Sequence, residues 1–278
     1  MISPIRHLST FLLLLLLASP GTKNENTGKS SHSTCLPPHL DNDSTIKTIH
    51  VFVALCDNKY QGIVPVPARI GDGQEPHTNL YWGCTNGIKS YFSRSKEWTL
   101  VSSQPTPTNY ILERLLFKYK TKNVYLLADA YDGQYIKQTT IDFLNASSGK
   151  NVISFSDRQT QLHFGGASAL LAYIGHNGLM DFSLQQKFEN TGQRKRETII
   201  LACYSKSYFS PHLRVTGSEP LLWTSGLMCP EAYTLHDAVQ EWVNHSSPLQ
   251  VRSAAANAYS KYQHCSITAA KNLLIQGW

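Results

Sequence analysis

No two cysteines of the 278-residue chain stand in a C-x-x-C arrangement, so the usual frame of a structural zinc site is missing. The sequence also lacks G-x-x-x-x-G-K-[ST] and G-x-S-x-G, which leaves nucleotide hydrolysis and serine-esterase chemistry without their motifs. There is no stripe of Lys and Arg interleaved with aromatics. The net charge of +6 comes from scattered residues, and the one dense run, Arg194-Lys195-Arg196, reads as a solvated loop before a strand. Nucleic acid is therefore excluded as a partner. No apolar run reaches the roughly 20 residues that a bilayer crossing needs.

The longest apolar block, Phe11 to Ala18, is short and follows Arg6 and His7. Small residues come next, in "ASPG" (18–21). Basic start, apolar core and small-residue exit are the order of a secretory signal. Residues 1–21 are read as a signal peptide, which gives a secreted or periplasmic protein without stable membrane insertion. The alternative is that the block is retained as an anchor. Residues 22–46 are rich in Ser, Thr, Asn and Lys and without periodicity, as expected of a flexible leader. Removal of 21 residues leaves 257, enough for one domain with a real core over 47–278.

The six cysteines are Cys35, Cys56, Cys84, Cys203, Cys229 and Cys265. With Cys203 kept free for chemistry, five remain, an odd number that argues against a dense disulfide scaffold.

Apolar runs and helical patterns alternate along the chain. "TIHVFVALCDN" (48–58) reads as a central strand buried on both faces. A short helix is expected after Thr85, a strand over 97–103, and a helix over 106–120 with Thr108 as N-cap. A strand over 122–133 and a helix over 134–149 follow, the latter stopped at Gly149. Strands over 165–175 and 197–203 precede closing helices at 233–244 and 249–263. The fold class is α/β, a mainly parallel central sheet with helices on both faces.

In such folds reactive groups gather at the carboxyl ends of strands. Cys56 and Asp57, Asp129 and Asp132, His176, and Cys203 all fall at expected strand ends. A thiolate attacks carbonyl carbon when a base takes its proton. His176 on a neighbouring strand end supplies that base for Cys203. Amides after His176, at Asn177 and Gly178, are then candidates for holding an oxyanion. Against this, buried cysteines are mostly inert, and a histidine after a strand is often only a hydrogen-bonded loop residue. Asp132 is expected to cap the following helix rather than bind a metal. No metal or cofactor is called for.

These motifs resemble the caspase-fold cysteine peptidases, the metacaspase branch above all. The matching stretches are "AYIGHNG" (172–178), "ILAC" (200–203), "VALCDNKY" (53–60) and "WGCTNGIKSYF" (82–92), which spread over much of residues 48–210. Asn177 stands between the histidine and Gly178, where the family has glycine directly, and the surroundings of Cys203 also differ. The resemblance implies a caspase-like three-layer sandwich and an exported endopeptidase acting on a peptide or protein, with His176 and Cys203 catalytic. It also places Cys56 and Asp57 beside the dyad as substrate-binding residues, Asp57 facing a basic side chain. The competing expectation is that Asp57 accepts backbone N–H bonds in its own loop. A non-catalytic binding or scaffold domain with the same fold is the alternative function. The oligomeric state is left open.

Overall fold

The computed structural model describes residues 46–192 and 194–278. The expected signal peptide, and all of the leader before residue 46, lie outside the described residues.

β1 (Lys47–Ala54) is buried along almost its whole length. Its run without alternation is explained by its position, between β4 (Val124–Tyr131) and β7 (Leu170–Gly175), both parallel to it. β8 (Glu197–Leu201) lies parallel to β7, and β9 (Glu219–Thr224) parallel to β8. The rims are antiparallel. β3 (Ile111–Tyr119) pairs with β4, β2 (Trp98–Thr108) with β3, and β10 (Leu274–Ile275) with β9. The eight strands stand in the order β10-β9-β8-β7-β1-β4-β3-β2.

Alternate residues of β1 enter different layers. Ile49, Val51 and Val53 pack with Phe92 of α1 (Ile88–Ser93), Leu235 and Val239 of α4 (Ala232–Val243), and Val251 and Ala255 of α5 (Pro248–Gln263). Phe52 and Ala54 pack with Phe143 and Leu144 of α2 (Ile136–Ser147) and Phe209 and Leu213 of α3 (Ser205–Thr216). Helices thus cover both faces of a mainly parallel sheet. A separate hairpin, Ile153–Asp157 with Thr160–Phe164, covers the second face beside β3 and β4 through Leu162 and Phe164.

The helix expected over 106–120 is instead the turn and second arm of the β2–β3 hairpin. Ile111, Leu112, Leu115, Leu116 and Tyr119 fit helical spacing, but the run 115–117 is apolar without a break. Leu115 and Phe117 enter one layer while Leu116 enters the other, as an interior strand requires. Thr108 performs its capping chemistry in the hairpin turn, where its Oγ1 accepts the N–H groups of Tyr110 and Ile111. Pro105 and Pro107 are tolerated in β2 because that strand is at the sheet edge.

Candidate active site

β7 ends at Gly175, one residue before His176, and β8 ends at Leu201, two before Cys203. The strands are parallel neighbours with Ile174 opposite Leu201, so both residues emerge at the same edge of the sheet. Gly175 has φ +137, and a Cβ there would lie 2.4 Å from the carbonyl oxygen of Ala54. Only glycine turns the chain out of the sheet so close to β1. After Cys203 the turn is equally sharp. Tyr204 has φ 49, in the left-handed region, and α3 begins at the next residue.

Strain of this kind holds only when the surroundings fix it. The N–H of Tyr204 donates to Gly226 O at 2.8 Å. Ser205 Oγ donates to Ile200 O at 2.8 Å, and Ser205 N–H donates to Thr224 Oγ1 at 3.1 Å. Thr224 Oγ1 donates in turn to Ala202 O. This brace has no signal in the sequence, because Ser205 and Thr224 come together only when β9 lies beside β8.

His176 and Cys203 line one cavity of about 290 Å³ together with Tyr81, Gly175, Leu227 and Met228. His176 Nε2 lies 2.7 Å from Asp181 Oδ2, which also accepts the N–H of Gly62 at 3.0 Å. Tyr173 OH donates to His176 O at 2.8 Å. The Cys203 thiol faces Met228 O at 3.5 Å, and Met228 N–H stands 3.4 Å from the sulfur. Asp181 and Met228 were not singled out from the sequence. The one available signal for Asp181 is its position five residues after the histidine in the same loop.

Asn177 and Gly178 are buried but do not border the cavity. The Asn177 side chain ties the two strand ends together: Nδ2 donates to Cys203 O at 2.7 Å, and Oδ1 accepts Leu179 N–H at 3.2 Å. A Cβ on Gly178 would meet the Phe182 ring at 2.7 Å, so this glycine is fitted to α2-side packing.

Asp57 is 1 % exposed and does not line the cavity. Its Oδ1 accepts the N–H groups of Lys59 at 2.7 Å and Tyr60 at 3.0 Å, and its Oδ2 accepts Gln74 Nε2 at 2.8 Å. The Lys59 and Tyr60 bonds are the backbone N–H bonds of the competing expectation for Asp57. Cys56 is fully buried, and its backbone N–H donates to Asn79 Oδ1 at 3.1 Å. Burial pushes its thiol up to about 11. Neither residue borders this cavity.

Asp132 caps as expected, accepting Gln134 N–H at 3.0 Å at the turn before α2. Asp129 is not at a strand end but inside β4, 0 % exposed. Arg114 reaches both its oxygens, at 2.6 and 2.7 Å, and His50 Nε2 lies 3.0 Å away. Burial pushes its carboxyl up, but the bonds from Arg114 and His50 outweigh this and hold it below the usual carboxylate range.

Five described cysteines are free thiols: Cys56, Cys84, Cys203, Cys229 and Cys265. Burial, with Glu231 adding to it, pushes the Cys229 thiol up to about 12. Among the described residues no cluster of His, Cys, Asp or Glu is arranged to hold a metal ion, and no helix is long and apolar enough to cross a membrane. No family model matches the chain, and no curated protein or solved structure is recognisably similar to it.

Proposed function

We propose that the chain is an exported cysteine hydrolase, an endopeptidase of the metacaspase-like kind that its motifs resemble. The observation that carries the reading is the placement of His176 and Cys203 on adjacent parallel strand ends, bordering one cavity. With Nε2 of His176 held by Asp181, Nδ1 is the ring nitrogen left to take the thiol proton. The thiolate then adds to the scissile carbonyl carbon. The protonated imidazole gives its proton to the departing amine as the C–N bond breaks, leaving a thioester on Cys203. Water, deprotonated by the same histidine, hydrolyses the thioester and restores the thiol.

The oxyanion forms beside the sulfur, where Met228 N–H already points. That amide takes the role first expected of Asn177 and Gly178. Asp181 fixes the tautomer and angle of the ring, as a third group commonly does for a nucleophile–base pair. Export rests on the pattern of residues 1–21.

Peptide turnover by the purified mature chain tests the reading. Cys203→Ala and His176→Ala should each abolish cleavage of a mixed fluorogenic peptide library while the far-UV circular dichroism spectrum stays the same. Cleavage that survives in Cys203→Ala overturns it.

A further inference from the structure

We infer that the substrate residue seated beside Cys203 carries a large apolar side chain, of the leucine, methionine or phenylalanine kind. This rests on the reading of Cys203 and His176 as a reactive pair.

The cavity wall holds no carboxylate, ammonium or guanidinium. Apart from the dyad, it is built from such residues as Ile63, Tyr81, Met180, Leu227, Met228 and Pro230. The acidic groups close by in sequence, Asp57, Asp181 and Glu231, do not line the wall. Asp57 is bound by its loop and Asp181 by His176 and Gly62 N–H. Glu231 accepts the Tyr233 hydroxyl at 3.0 Å and Gln263 Nε2 at 3.3 Å. A Lys or Arg side chain entering here finds no carboxylate on the wall, and an Asp or Glu side chain finds no lysine or arginine there. Either loses its hydration without a partner.

The rim points the same way. Val64, Leu227 and Met180 all border the cavity, yet they are 88 %, 67 % and 39 % exposed. Large apolar side chains left bare around a reactive centre gain by covering one another's surface with a ligand's apolar group. The two methionines, Met180 and Met228, let the wall adapt to differently shaped apolar groups. At about 290 Å³ the space suits a single side chain rather than an extended ligand.

The test uses peptidyl acyloxymethyl ketones that differ only in the residue next to the warhead: Leu, Phe, Arg or Asp. The rate of Cys203 modification on the purified mature chain is followed by mass spectrometry. Leu or Phe probes should react at least about 10-fold faster than Arg or Asp probes. Leu227→Glu, or Val64→Glu at the most exposed rim position, should shift the Leu-to-Arg ratio toward Arg by a similar factor. Equal or faster labelling by the Arg or Asp probe overturns the apolar pocket. Iodoacetamide separates this from failure of the dyad. Cys203 alkylation that is slowed in His176→Ala keeps the dyad whatever the probes show. Alkylation indifferent to that substitution removes the dyad and the pocket's role with it.

Discussion

His176 Nε2 lies 2.7 Å from Asp181 Oδ2, and the two residues belong to one loop that leaves β7. In the proposed mechanism, the carboxylate holds the imidazole by the nitrogen that does not take the thiol proton. Asp181→Asn should therefore lower kcat by about 10²-fold, within the range general-base catalysis contributes, with KM little changed. A pH–rate profile provides the check. A purely structural role for Asp181 would leave the profile's limbs where they are, while an orienting role moves the limb assigned to His176.

Asn177 joins the His176 loop to the carbonyl of Cys203, and it is fully buried. Asn177→Ala removes the donor and leaves that carbonyl without it. The expected loss of stability is about 1–3 kcal/mol, the usual cost of an unsatisfied buried group. Urea melts of the two proteins measure it. Activity should fall further than the change in folded fraction accounts for, since the strand ends lose their tie.

Arg114 of β3 and Asp129 of β4 form a buried pair with two hydrogen bonds between them. The Asp129 carboxyl titrates below its unfolded value of about 3.9. Its stabilisation is thus present above that value and is lost as the pH falls through the lower folded value. Arg114→Met leaves the buried carboxylate with His50 Nε2 but without its guanidinium, and should cost about 3–5 kcal/mol at pH 7. The gap between variant and parent should narrow below pH 4. Denaturant melts at pH 7 and pH 3.5 show the difference, and a gap that widens in acid contradicts the pairing.

The mature chain is expected to begin near Thr22, after the basic start, apolar block and "ASPG" exit of residues 1–21. Intact-mass analysis of protein made in its own host reads this directly. Retention of Met1 with a cytoplasmic location would contradict export.

The apolar runs of β1, β7 and β8 announced a buried parallel sheet because such strands cannot alternate when both faces are covered. The placement of His176 and Cys203 just beyond two of those runs was legible for the same reason, and the parallel pairing of β7 and β8 brings those ends side by side. Thr108 and the segment after it were misread because a strand apolar on both faces matches helical spacing over a few residues. The sequence left the direction of loop side chains open, with Asp57 readable in two ways. Asp57 turned back to its own loop's N–H groups rather than forward to a substrate. Asp181 reached His176 because the loop folds over within five residues. The apolar cavity is assembled from residues 62–64, 81, 175, 176, 180, 203, 227, 228 and 230. Local periodicity specifies which segments are buried. Which distant loops meet at one strand edge, and what charge they bring there, is settled only when the whole sheet is in register.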